Sequence, residues 1–176
     1  ILAEAYALPL REELVARRAR ELAVERRRLE DILEGTNVGT WEWNIQSGEA
    51  TFNERWAQMI GYTLAELEPL SIETKSMLFH PEDLEHSREL LQRHFDGELP
   101  YFECEARVKH KEGHWVGVLD RGKVAAWTED GKPLLMSGTQ QDISRRKKEE
   151  EQLQQAKAAA EAASRSKSAF LANMSH

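Results

Sequence analysis

His176 ends a stretch, 145–176, that holds neither Gly nor Pro and is rich in Lys, Glu, Gln and Ala, residues that favour helix. At about 100° per residue, it lies about 140° from Leu171 and about 160° from Met174, away from the apolar stripe. Ala172, about 40° away, and Asn173, about 60° away, share its face and leave the ring approachable. A solvated imidazole with an ordinary pKa of about 6.5 keeps a ring nitrogen free at neutral pH, and that nitrogen can attack a γ-phosphate presented in line. Plain exposure to water is the competing account of one histidine on a polar helix face.

Other chemistry-bearing residues have simpler readings. Cys104 sits in an alternating run and reads as a core thiol. As the one cysteine it excludes an intrachain disulfide and fits a reducing cytoplasm. Trp41, Trp43 and Trp56 are candidate pocket residues, although a small sheet domain also uses such side chains, Trp115 and Trp127 included, for core and interface. Asp142 or Ser144 can cap the helix that follows by accepting a backbone N–H. His80 reads as a helix-start residue. No P-loop, metal-ligand cluster or Ser/His/Asp arrangement is evident, so no metal site and no complete catalytic site are expected.

These residues need elements to hold them. Residues 10–34 are Leu, Ala, Arg and Glu without Gly or Pro, and Val15, Leu22 and Leu29 recur at sevens, flanked by Leu14, Ile32 and Leu33. The repeat predicts a parallel coiled coil with a second copy, weakened where Arg18 and Glu25 interrupt the seam; a lone helix supported by i,i+4 ion pairs is the alternative. Gly35 is expected to end it. Next come an alternating run at 40–45, a turn, a short strand 50–52 and a helix capped by Asn53 and closed by Gly61. His80-Pro81-Glu82-Asp83 starts another helix, which runs to about Phe95 with Leu84, Leu91 and Phe95 on one face. Phe102, Cys104, Ala106 and Val108 alternate with charged residues, and turns at Glu112-Gly113 and Asp130-Gly131 lead to strands 115–127 and 134–143. The sum is an α+β domain on an antiparallel sheet, between a helix at 1–34 and a helix at 145–176, with the domain at 35–144. Leu153, Ala160, Lys167 and Met174 continue a seam of sevens, which predicts pairing with a second copy.

A net charge of −7 argues against a general nucleic-acid binder, and no apolar run is long enough to cross a membrane. A chain that begins without Met and stops at His176 inside a helix is expected to be a piece of a longer protein, which upstream segments could tether to a membrane.

The phrases Gly39-Thr40-Trp41-Glu42-Trp43-Asn44, Asn53-Glu54-Arg55-Trp56, Met59-Ile60-Gly61-Tyr62-Thr63, His80-Pro81-Glu82-Asp83-Leu84, Leu119-Asp120-Arg121-Gly122-Lys123 and Gly138-Thr139-Gln140-Gln141-Asp142-Ile143-Ser144, in that order, resemble the PAS family with its associated C-terminal motif. The resemblance implies a five-stranded antiparallel sheet curling over short helices, often around a small pocket, with no particular ligand implied. It also implies that Asp142 pairs with a basic residue of a neighbouring strand, for which Arg121 is the candidate. The run Phe170-Leu171-Ala172-Asn173-Met174-Ser175-His176 resembles the start of the phosphoacceptor box of bacterial sensor histidine kinases.

Together the resemblances imply a cytoplasmic, dimeric segment of such a kinase, with His176 phosphorylated from ATP and Mg held by the kinase's own ATP-binding domain. The phosphate would then pass to a response-regulator receiver. A regulatory or dimerisation module of a nucleotide cyclase or other signalling protein is the alternative. Cys104 lacks the surroundings of flavin-binding light sensors. His86 and His94 fall where haem-binding relatives place a ligand but read as surface or capping histidines, so no cofactor is expected within 1–176.

Overall fold

The computed structural model describes the backbone of residues 2–175 and the side chains of residues 10–175. It divides into two units, 1–38 and 39–176.

The first unit is helix α1 (Leu2–Thr36). Arg17–Glu21 and Arg26–Glu30 pair at i,i+4 along it, while Leu14, Val15, Leu22 and Leu29 are exposed. The helix runs through Gly35. Its end is at Asn37, whose φ of 57° lies in the left-handed region. Asn tolerates that conformation because its short polar side chain bonds locally, so the expected Gly35 stop falls two positions later.

The second unit is built on five antiparallel strands: β1 (Gly39–Asn44), β2 (Ala50–Phe52), β3 (Phe102–Lys109), β4 (Trp115–Trp127) and β5 (Pro133–Asp142). Their order across the sheet is β2-β1-β5-β4-β3. Between β2 and β3 lie α2 (Glu54–Met59), a 3-10 turn (Ala65–Leu67), α3 (Ile72–Leu78) and α4 (Pro81–Phe95). After β5 comes α5 (Ser144–Met174). The α+β class and the five-stranded sheet agree with the sequence reading.

Strand alternation sets the core. Phe102, Cys104, Ala106 and Val108 of β3 point inward, as do Val116, Val118, Asp120 and Val124 of β4. One row crosses every strand: Phe52, Trp41, Gly138, Gly122 and Phe102 are successive cross-strand partners. Its two glycines leave the sheet bare where the Trp41 indole lies. A Cβ on Gly138 would come within 2.3 Å of Trp41, and one on Gly122 within 2.5 Å.

The helices have local causes. Asn53 accepts the Trp56 N–H at 3.0 Å and caps α2. Ser71 and Thr74 form a reciprocal capping box that starts α3, a seven-residue helix that the sequence reading does not resolve. His80 Nδ1 accepts the Glu82 N–H at 3.3 Å ahead of Pro81, as a helix start requires.

Candidate functional site

The row beside Trp41 carries Gln140, Asp120 and Cys104 as cross-strand partners. An acid on the inward face of a sheet needs a counter-charge, because burying an unpaired carboxylate costs many kcal/mol. Lys75 of α3 supplies it. Its Nζ lies 2.6 Å from Asp120 Oδ2, with the two side chains 8% and 1% exposed. The other carboxylate oxygen, Oδ1, accepts the Trp41 indole N–H at 2.7 Å. The ammonium also stands 4.0 Å from the centre of the Trp41 ring. Burial pulls the Lys75 pKa below its ordinary value, and the Asp120 carboxylate works against that shift.

This pair lines a partly open cavity of about 220 Å³ between the sheet, α3 and α4. Ile72, Phe79, Leu84, Leu91, Phe102 and Met136 make its apolar walls. Trp41 and Trp43 are among its lining residues. Trp43 Nε1 is shut off from solvent and has no acceptor among the described residues. Arg88 also faces the cavity, although its side chain is 63% exposed and pairs with Glu85 at 3.5 Å.

Two expected pocket residues stand elsewhere. Trp56 is fully buried and stacks on Phe52 with ring centroids 4.0 Å apart, outside the cavity lining. Cys104 is buried beside Asp120 without lining the cavity, and burial, with help from the Asp120 charge, pushes its thiol up to about 11. At neutral pH it is therefore an unreactive thiol.

His94 is neither a surface nor a capping residue. It is buried, its Nε2 accepts the Val124 N–H at 3.2 Å, and its Nδ1 lies 2.8 Å from the Leu99 carbonyl. The first contact requires a bare Nε2, so Nδ1 carries the proton and donates to Leu99. Nε2 thus ties α4 to β4, and Nδ1 ties it to the loop that leads into β3. Two groups, His110 with Glu112 and His114, and His80 with Glu82 and Asp83, bring ligand-type atoms within 4.8 Å of one another, a proximity the sequence reading did not anticipate. In the second group Arg107 grips Asp83 through two bonds of 2.8 Å and holds its carboxyl down at about 2.

The exit from the sheet is the second candidate region. The Ile143 N–H donates to the Gly117 carbonyl at 2.8 Å, and the Gly117 N–H donates to Ser144 Oγ at 3.3 Å. Asp142 Oδ1 accepts the N–H of Ser144, the first residue of α5, at 2.8 Å, a local turn one position ahead of the N-cap Ile143, which makes no side-chain cap bond. Ser144 spends its hydroxyl on β4. Glu105 of β3 reaches both Arg146 and Lys147 of α5, and the Lys147 contact, ahead of Arg146, lowers its pKa.

The expected partner of Asp142, Arg121, is not there. Sheet register sets Arg121 opposite Thr139 and Asp142 opposite Val118. Arg121 instead pairs with Glu103 at 3.3 Å and lies over the Tyr101 ring at 4.0 Å.

Beyond this joint no described residue of α5 is buried, and Leu153, Phe170, Leu171 and Met174 are all exposed. His176 lies outside the described residues.

Sequence reasoning missed Lys75 and Asp120. The alternation of β4 held one usable signal: Asp120 occupies an inward position between Val118 and Val124.

The comparisons agree with this geometry. The family model described as PAS fold matches residues 49–140. Hybrid signal transduction histidine kinase A of Dictyostelium discoideum is 35% identical over 101 residues, which are 56% of this chain and 5% of that protein. The crystal structure of a sensory box histidine kinase/response regulator from Burkholderia thailandensis superposes with a TM-score of 0.66 at 25% identity, covering 76% of this chain and 98% of that one. The N-terminal domain of a diguanylate cyclase with a PAS/PAC sensor from Marinobacter aquaeolei has a TM-score of 0.54 at 22% identity, over 62% of this chain and 97% of that one. Among the described residues no helix is long and apolar enough to cross a membrane. With its sheet order and a family match across β2 to β5, this chain belongs to the PAS fold family.

Proposed function

We propose that residues 1–176 are the sensory and transmitting segment of a two-component histidine kinase that accepts phosphate from ATP on His176. The observation that carries the reading is continuity. The central strand β5 passes through Asp142, Ile143 and Ser144 into a 31-residue helix, and the run 170–176 at its far end resembles a phosphoacceptor box. The similarity to a Dictyostelium histidine kinase and to a Burkholderia one supports the same parent class.

In this reading the exposed apolar positions of α5, and those of α1, pair with a second copy to form a parallel dimer. A change in the cavity or sheet alters the Gly117–Ile143–Ser144 joint, and the paired helices shift between two packings. His176 then meets the ATP- and Mg-binding domain of the kinase more or less often, and its phosphate passes to a receiver domain. These steps place the segment in the cytoplasm.

Control of a nucleotide cyclase is the second reading, since the Asp142–Ser144 joint and the fold likeness to a cyclase sensor suit either output. One experiment separates them. The parent protein should incorporate acid-labile, alkali-stable phosphate from ATP, and His176→Gln should abolish it while the PAS domain stays folded. Labelling that survives this substitution would sink the kinase reading.

A further inference from the structure

The hairpin between β3 and β4 carries three ligand-type side chains that neither the cavity nor the joint at α5 uses. His110 and His114 flank its turn, Lys111-Glu112-Gly113, one position beyond the last strand pair, Lys109 with Trp115. The His110 N–H donates to the His114 carbonyl at 2.9 Å, and the Gly113 N–H donates to the His110 carbonyl at 2.9 Å. Gly113, with φ of 96°, takes the left-handed position that closes a three-residue loop of this kind. Opposed residues of a hairpin project from one face, and here the two imidazoles stack with centroids 4.1 Å apart.

The His110 ring is also fixed from behind. A Cβ on Gly61 would come within 2.6 Å of its Nε2, so that edge lies against the bare glycine. Its Nδ1 accepts the Glu112 N–H at 3.1 Å, which makes Nδ1 the unprotonated nitrogen, and Glu112 Oε2 stands 3.9 Å from it. Ligand atoms of all three residues lie within 4.8 Å of one another. Those of a tetrahedral zinc ion stand about 3.3 Å apart, and the exposed Glu112 and His114 can close the difference by turning about side-chain bonds. Neighbouring cations are engaged elsewhere, Lys111 with Glu66 and the Tyr62 ring, Lys109 with the Trp115 ring. The group around His80 differs, because Arg107 holds both Glu82 and Asp83.

We propose that His110 Nδ1, His114 and Glu112 bind one divalent transition ion of the zinc class, with water completing its shell. Two imidazoles and one carboxylate suit such an ion, whereas Mg²⁺ and Ca²⁺ take oxygen ligands. The ion replaces the Glu112 N–H at Nδ1 and cross-links the two arms of the hairpin. The Lys111 N–H donates to the Ile60 carbonyl at 2.9 Å, so the cross-link also firms the hairpin's hold on the loop after α2. This binding requires neither a kinase nor phosphate.

The test titrates tag-free residues 1–176 with Zn²⁺ by calorimetry, with Mg²⁺ as control, and follows thermal unfolding and the histidine ring signals by NMR. Zn²⁺ should bind one per chain with Kd on the order of 10 µM and raise the unfolding midpoint, and Mg²⁺ should do neither. The ring signals of His110 and His114 should shift ahead of those of His80 and His86. His114→Ala should weaken Zn²⁺ at least about tenfold and Glu112→Gln severalfold, while the metal-free unfolding midpoint stays unchanged because both side chains are exposed. Glu82→Gln, in the group around His80, should leave the affinity unchanged. Binding no tighter than about 1 mM, one ion bridging two chains, an affinity untouched by His114→Ala, or one reduced by Glu82→Gln would each overturn the proposal.

Discussion

Two acid–base contacts in this chain share a chemistry and differ in surroundings. Lys75 and Asp120 meet at 2.6 Å with 8% and 1% of their side chains exposed. Glu105 meets Arg146 and Lys147 at the start of α5 with these side chains 42% to 52% exposed. In the first case each charge depends on the other, because water cannot replace a lost partner; removing one member of such a pair costs about 3–5 kcal/mol. In the second, water substitutes readily and the contact is worth at most about 1 kcal/mol. The buried pair therefore governs whether the cavity-bearing core forms. The exposed one can bias the sheet–helix joint without endangering the fold, as a switching element requires.

The largest effect that tests this contrast is on the buried pair. Lys75→Met should lower the unfolding free energy by about 3–5 kcal/mol, read from denaturant midpoints, because Asp120 is left charged and enclosed. Adding Asp120→Leu should recover most of the loss, since two apolar residues no longer need each other. A single-variant cost under about 1 kcal/mol would mean the pair is not desolvated as described.

Arg107 and Asp83 lie between the two cases, with side chains 44% and 19% exposed. Asp83→Asn should cost about 1–3 kcal/mol at neutral pH, by loss of the bidentate contact. The native carboxyl sits at about 2, below the ordinary value near 3.8. A depressed carboxyl contributes its stability fully above the unfolded value and loses it as pH falls through the folded one. Stability should accordingly decline from about pH 4 to about pH 2, and Asp83→Asn should flatten that decline. A variant with an unchanged acid limb would assign the decline to other carboxylates.

The smallest stability change belongs to the joint. Glu105→Gln should alter the unfolding free energy by no more than about 1 kcal/mol. In the parent protein it should nevertheless change the rate of His176 labelling severalfold. A variant that leaves labelling untouched would reduce the Glu105 contact to an ordinary surface pair.

The sequence reveals local pattern well and long-range pairing poorly. The alternation of β3, the limits of β4, the Asn53 cap and the His80-Pro81 start are all written in neighbouring residues, and each is found where expected. Lys75 escapes because α3 is seven residues long and its lysine reads as a solvated residue until the fold brings Asp120 to it. The family resemblance pairs Arg121 with Asp142, and only the register, Arg121 with Thr139 and Asp142 with Val118, shows that they do not meet. His94 looked peripheral for the same reason: Val124 and Leu99, which hold its two nitrogens, are distant or irregular in sequence. Composition and spacing say which residues form an element, but cross-sheet partners decide which of them make a site.

The proposed function requires that the sheet drive α5 as a rigid paired rod whose angle sets access to His176. Inserting one residue after Gln155 rotates everything downstream by about 100°, whereas seven residues restore the phase with a helix about 10 Å longer. Autophosphorylation of the parent protein, measured across insertions of one to seven residues, is the most direct test. One- and two-residue insertions should lock or invert regulation, and seven should leave it largely intact. A response that decays steadily with insertion length, with no seven-residue period, would contradict the rod and make α5 a flexible tether.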